Sequence, residues 1–252
     1  MPNTKTADVL GTAKRFLIFG PAGSGKTTSL RTAPKPCYVL SLDDKLSSLV
    51  GEDVEFDTFQ GGNAAGFIAV RDKLLQLRQA CAYKTIAVDS FTALSRAAMH
   101  QVRLDNDNKT VFGKAKMEHG QDYGSLYVKL DEIGLYLADI REKFGTHIIL
   151  ICHEYADAIT PDGPRQYIEP LIDGVKYPNQ MLAINDEILH QEILPGVQGT
   201  KNYVWRTRPT AFIRQCSTRF NGMEEFEPAD FTTYLAKAKS AAAKLQGGEV
   251  KK

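Results

Sequence analysis

The sequence predicts an α/β domain with a mostly parallel, twisted sheet flanked by helices on both faces. Three observations predict it. Short apolar runs alternate with amphipathic stretches, the order that builds parallel strands joined by crossover helices. A glycine-rich turn, Gly20-Pro21-Ala22-Gly23-Ser24-Gly25-Lys26-Thr27, lies between the first apolar run and a stretch able to start a helix. A later apolar run, Thr85-Ile86-Ala87-Val88, ends in Asp89.

Residues 1–14 read as a polar lead-in. Arg15 to Phe19 suit a buried strand. Thr28 to Arg31 continue beyond the turn as a helix that Pro34 and Pro36 stop. Cys37 to Leu42 form the next parallel strand, closed by Asp43-Asp44. Val54 to Phe59 alternate with period two and predict a more exposed strand, broken by Gly61-Gly62-Asn63. Phe67, Val70, Leu74, Leu77 and Cys81 recur at helical spacing and predict a helix over 65–82.

The run ending at Asp89-Ser90 is followed by a helix over 91–104. Polar residues and glycines then mark a long loop over 105–121. Leu126, Leu130, Ile133, Leu137 and Ile140 step by four and three along a helix that ends near Gly145. His147 to Cys152 form the most apolar strand, with His153-Glu154 at its end. A second irregular segment, about 155–180, is rich in proline and glycine. Residues 186–194 and 202–207 read as strands joined by the turn Pro195-Gly196, and 211–216 as another short strand. Pro228-Ala229-Asp230 start a helix that runs through Leu245 and ends at Gly247-Gly248, before a disordered lysine-rich tail. The division is thus a lead-in (1–14), a core (15–235) and a helix end with flexible tail (236–252).

The 252 residues are 43% hydrophobic, enough for one large α/β domain. A formal net charge of +1 gives no global basic field, so nucleic-acid binding has to come from local loops. Four scattered cysteines form no C-x-x-C pair, which suits reduced thiols in a cytoplasmic protein. His153-Glu154 starts like a zinc-binding H-E-x-x-H, but position 157 is Asp. No stretch is long enough to span a membrane. The polar N-terminus predicts no signal peptide.

Gly20 to Thr27 meet every fixed position of the P-loop pattern G-x-x-x-x-G-K-[ST]. Gly20, Gly23 and Gly25 bring backbone N–H groups close to an anion, with Pro21, Ala22, Ser24 and Thr28 completing the cradle. The N-terminus of the following helix adds positive charge there. Lys26 is expected to reach the β- and γ-phosphates of ATP, and the Thr27 hydroxyl to coordinate Mg²⁺. Asp89 ends its strand as a Walker B carboxylate and is expected to hold the same Mg²⁺, the alternative being a helix N-cap. Asn108-Lys109-Thr110-Val111 lacks the Asp of the base-reading N-K-x-D motif of small GTPases. Ser90 stands where a typical AAA+ ATPase has a glutamate. Hydrolysis needs a carboxylate to orient or deprotonate water. Asp43 or Asp44 can supply it, unless the pair caps the next helix.

At these residues the chain resembles the RecA family. Cys37-Tyr38-Val39-Leu40-Ser41-Leu42-Asp43 is similar to the strand that ends in the RecA catalytic glutamate, with Asp43 in its place and one methylene shorter. Val88-Asp89-Ser90-Phe91-Thr92-Ala93-Leu94 is similar to the RecA Walker B stretch. Ile149-Leu150-Ile151-Cys152-His153 resembles the strand whose terminal glutamine senses the γ-phosphate, with His153 in that role. Arg206-Thr207-Arg208 falls where RecA has two lysines that reach the neighbouring subunit's nucleotide. On a strand Arg206 and Arg208 share one face; the alternative is a solvated edge.

The resemblance covers roughly 12–215, without RecA's outer domains, and a core of this size is similar to phage-encoded RecA-like ATPases, including the single-strand annealing recombinases built on a RecA core. It implies a RecA-like core, Mg-ATP hydrolysis, single-stranded DNA as partner and assembly into a ring or filament in the host cytoplasm, with a single-strand-binding protein as a further partner. The two irregular segments fall where RecA has its DNA-binding loops. Arg103, Lys109, Lys114 and Lys116, with His119 and Tyr123, are the candidates in the first. Arg165, Tyr167 and Lys176, with Tyr177, are those in the second. Cations beside aromatics suit single strands. Both segments also carry acids, so plain polar surface loops stay open as a reading. Two rivals remain: a helicase- or loader-type motor of replication, and a nucleotide-gated binding module with little turnover.

Overall fold

The computed structural model describes residues 12–107, 119–156, 167–173 and 182–247. The first half runs β1 (Arg15–Gly20), α1 (Lys26–Ser29), β2 (Cys37–Ser41), β3 (Val54–Thr58), α2 (Ala64–Gln79), β4 (Thr85–Asp89) and α3 (Phe91–Asp107). It continues with α4 (His119–Phe144), β5 (His147–Ala156), β6 (Ile168–Pro170), β7 (Glu187–Pro195), β8 (Lys201–Arg206), β9 (Ser217–Thr218), β10 (Phe226–Pro228) and α5 (Phe231–Gly247). Among the described residues no helix is long and apolar enough to cross a membrane.

The strand order is β10-β8-β7-β1-β5-β4-β2-β3, with β6 on β5 and β9 on β7. From β7 to β3 every pairing is parallel. The pairings that add β6, β8, β9 and β10 are antiparallel, so the sheet is mixed. The hairpin at Pro195-Gly196 explains the change of direction. A connection this short can return the chain only antiparallel, because a parallel return needs a crossover of a dozen or more residues.

Alternation along β1 splits the core between the two faces of the sheet. Leu17 and Phe19 pack with Phe67 and Val70 of α2, Leu94 and Ala98 of α3, and Leu126 and Leu130 of α4. Phe16 and Ile18 point the other way, towards Leu30, Trp205 of β8, and Phe231 and Tyr234 of α5. The rings of Phe16 and Phe231 meet edge to face, with centroids 5.2 Å apart. Helices therefore cover both faces, and α5 runs unbroken past position 235 as part of one layer.

Several local expectations are revised. The helix after the glycine-rich turn has only four α-helical residues and tightens into a 3₁₀ turn at Leu30–Thr32 ahead of Pro34. Helix α2 ends at Gln79, before Cys81, and is capped at its start by Asn63, whose side chain accepts the Gly66 N–H at 3.1 Å. Helix α3 reaches Asp107 and α4 starts at His119, both inside the stretch expected as loop. The polar end of α3 is helical because it has partners. Gln101 donates to Asp105 at 2.7 Å, and Lys129 of α4 pairs with Asp105 at 2.8 Å. Residues 211–216 form no strand; Ile213 makes a single bridge to Ile168, and β9 follows at Ser217.

Register brings the chemistry to one edge. Ser41 pairs with Asp89, Asp89 with Ile151, and Gly20 with His153. The carboxyl ends of β1, β2, β4 and β5 therefore open on one crevice, where parallel α/β sheets bind ligands.

Candidate nucleotide-binding site

A cavity of about 260 Å³ lies on this edge, walled by the glycine-rich loop together with Asp43, Asp89, His153 and Tyr203. Two glycines are fixed by their surroundings. Gly25 has φ 90°, and a Cβ there would sit 2.9 Å from Tyr203 Cδ1. A Cβ on Gly20 would sit 2.6 Å from the Gln191 carbonyl oxygen of β7. The helix behind the loop is a single turn, so anion attraction rests more on the loop amides and Lys26 than on a helix dipole.

Lys26 is buried and folds back on its own loop. Its Nζ donates to the carbonyls of Gly20 at 2.8 Å and Pro21 at 2.7 Å. Burial pushes its ammonium pKa down, opposed by the charge of Asp89. A phosphate in the loop is a stronger acceptor than either carbonyl and would draw the ammonium to itself.

Thr27 Oγ1 donates to Asp89 Oδ2 at 2.6 Å, joining the loop to the end of β4. Asp89 is 6% exposed, and burial pushes its carboxyl upward against the Thr27 bond. A hydroxyl and a carboxylate that already touch, beside a phosphate cradle, are the hard oxygen donors that Mg²⁺ takes while keeping several waters. The residues present therefore fit the ion.

Asp43 Oδ2 and His153 Nε2 stand 3.1 Å apart across the crevice. Burial alone would raise the Asp43 pKa, but hydrogen bonds from His153 and Ser90 outweigh it and hold the carboxyl below its ordinary value. Asp43 is thus a carboxylate at neutral pH. Asp44 is exposed, has φ 51° and borders a separate surface depression. No side chain caps the 3₁₀ turn that follows, Leu46–Leu49, so the acid pair has no capping role there. The His153 N–H donates to Thr92 Oγ1 at 3.0 Å, and Thr92 donates to the Leu171 carbonyl at 2.6 Å.

Arg206 and Arg208 are not in this cavity. Arg206 closes β8, and its Nε donates to Glu192 Oε1 at 2.5 Å while Nη1 pairs with Glu225. Arg208 lies beyond the strand end, exposed, with Nη2 donating to the Met223 carbonyl at 3.2 Å. Of the DNA candidates, Arg103 is exposed on α3. The face of the Tyr167 ring carries the Arg214 guanidinium 3.6 Å from its centroid. Tyr123 packs against the helical core. Lys109, Lys114, Lys116, Arg165, Lys176 and Tyr177 lie outside the described residues, and so does the side chain of His119.

Two features escaped the sequence reading. Tyr203 packs on Gly25, signalled in the sequence only by an aromatic residue two positions before Trp205. A cluster is built around the buried His190. There His190 Nε2 lies 2.9 Å from Glu154 and its Nδ1 3.0 Å from Glu192. Its members come from β5 and β7, which only the fold brings together.

A family model described as AAA domain matches residues 12–213. No curated protein matches the chain. The matched stretch includes the glycine-rich loop, Asp43, Asp89, His153 and both arginines, so Ser90 in the place of a glutamate does not set the chain apart from that family.

Proposed function

The chain belongs to the AAA domain family of P-loop ATPases, and on that premise we propose that it is a Mg-ATP-dependent ATPase of RecA type that binds single-stranded DNA and works in recombination, by annealing or strand pairing. One observation carries the reading: Asp43 and His153, in contact at 3.1 Å, share a crevice with the loop that holds Lys26 and Thr27. That arrangement supports a carboxylate and an imidazole acting together beside a terminal phosphate.

In this reading Lys26 exchanges the carbonyls of Gly20 and Pro21 for phosphate oxygens. Thr27 and Asp89 would hold Mg²⁺, which would supply positive charge beside the phosphates. Asp43 orients the attacking water and accepts its proton, and His153 holds the carboxylate in place. The RecA assignment is supported by the stretches around Asp43, Asp89 and His153, and by β5 lying between β1 and β4. The DNA assignment is supported by the resemblance and by Thr92. Its hydroxyl ties the segment 167–173, within the second candidate loop, to the backbone of His153. Assembly into a ring or filament would let Arg208 reach a neighbour's nucleotide. The test is ATP hydrolysis with and without single-stranded oligonucleotide, together with the salt dependence of oligonucleotide binding; a polyanion-binding protein shows a steep negative log–log slope.

A further inference from the structure

We infer that Tyr203 is the wall against which the nucleotide's base and ribose stack, an inference that rests on the nucleotide site proposed above. The groups suited to the reacting phosphate all come from one side of β1. Asp43 follows β2, Asp89 ends β4 and His153 lies on β5, and these strands lie in the order β5-β4-β2 beyond β1. Tyr203 comes from the other side, on β8, separated from β1 only by β7. A nucleotide whose terminal phosphate faces Asp43 and whose phosphates lie along the glycine-rich loop carries its base away from the acids, towards β8.

The ring is built for such a role. Tyr203 borders the same cavity as Lys26 and Thr27. Its Cδ1–Cε1 edge rests where a Cβ on Gly25 would fall, at 2.9 and 3.2 Å. Its position is fixed by β8, through pairing with Ile193 and through its carbonyl, which accepts the Ala229 N–H at 3.0 Å. Yet 45% of the residue stays exposed, although Trp205, on the same side of the strand, is fully buried. A rigidly held, half-exposed aromatic beside a phosphate cradle offers a π surface to any base, since stacking on aromatics tolerates every base.

The test compares ATP with inorganic tripolyphosphate, both with Mg²⁺, by equilibrium binding to the full chain. Tripolyphosphate uses the loop and has nothing to stack. Tyr203→Ala is expected to weaken ATP about 5- to 150-fold, the range that base–aromatic stacking shows on truncation to alanine, and to leave tripolyphosphate within about twofold. Tyr203→Phe should bind both ligands as the wild type does. Tyr203→Leu keeps apolar bulk over Gly25 and should still lose ATP affinity. An equal loss for both ligands in the alanine variant would overturn the inference, because the ring would then only support the loop. Unchanged ATP binding would also overturn it. Failure of the wild type to bind either ligand would instead sink the nucleotide reading itself, and this inference with it.

Discussion

His153 Nε2 and Asp43 Oδ2 stand 3.1 Å apart although 110 residues separate them in the chain. The contact gives the two acids of the Asp43-Asp44 pair different fates. Asp43 faces the crevice, ionised, while Asp44 turns out at φ 51°. Asp43→Asn should bind ATP nearly as the wild type does and lose roughly 10²–10⁴ in hydrolysis rate, the usual contribution of a general base. Asp44→Asn should hydrolyse within a few-fold of the wild type. Steady-state phosphate release from both variants checks this, and the reverse ranking would move the role to Asp44.

Asp89 and Thr27 make a separable prediction. Asp89→Asn keeps an acceptor for the Thr27 hydroxyl, so the fold should survive. It removes the charge that would hold Mg²⁺. ATP affinity measured with Mg²⁺ should fall roughly 10- to 100-fold, as for loss of a group that orients a metal's ligands, while affinity measured in chelator should hardly change. Equal losses in both conditions would mean that Asp89 supports the loop and not the ion.

The two arginines should behave differently. Arg206 is spent inside the chain on Glu192 and Glu225, and its guanidinium lies 4.2 Å from the centre of the Phe226 ring. Arg206→Ala should cost roughly 1–3 kcal/mol of stability, from partners left with unmet hydrogen bonds, seen as a lower denaturation midpoint. Arg208→Ala should leave stability unchanged and cost roughly 10³–10⁵ in rate if it acts on a neighbour's nucleotide as a trans arginine. Mixing Arg208→Ala with Lys26→Ala subunits should restore hydrolysis through composite sites. No recovery would place Arg208 outside the reaction.

His190 predicts a pH dependence of stability. Burial alone would lower its pKa from 6.5, but Glu154 and Glu192 outweigh burial and raise it. A histidine with a raised folded-state pKa contributes stability that is fully present below the unfolded value and lost as pH rises through the folded one. The melting-temperature gap between wild type and His190→Gln should therefore be widest near pH 6 and shrink towards pH 9. A gap independent of pH would mean that His190 is neutral in the fold.

The legible parts of the sequence were those where chemistry and structure are contiguous. Gly20 to Thr27 sit on one turn, and Asp89 ends its own strand, so pattern and position coincide. Asp43 and His153 were legible for the same reason: each closes an apolar run, and parallel strands bring such ends together. The Glu154–His190–Glu192 cluster and the Tyr203–Gly25 contact were not legible. They depend on the hairpin β7–β8 folding back beside β1, and the sequence of a hairpin does not say which strand it joins. Composition misled at the end of α3, where Asp105 and Asn106 looked like loop residues. Their partners Lys129 and Asp122 lie on α4 and hold them in a helix.

The most direct test of the account is the rate of phosphate release from Mg-ATP by the full chain and by Lys26→Ala, each with and without a single-stranded oligonucleotide. The wild type should turn over ATP, and faster with the oligonucleotide, while Lys26→Ala should show no turnover in either condition. Equal rates for the wild type and Lys26→Ala would contradict the phosphate-loop site, and a wild-type rate indifferent to the oligonucleotide would contradict its coupling to single-stranded DNA.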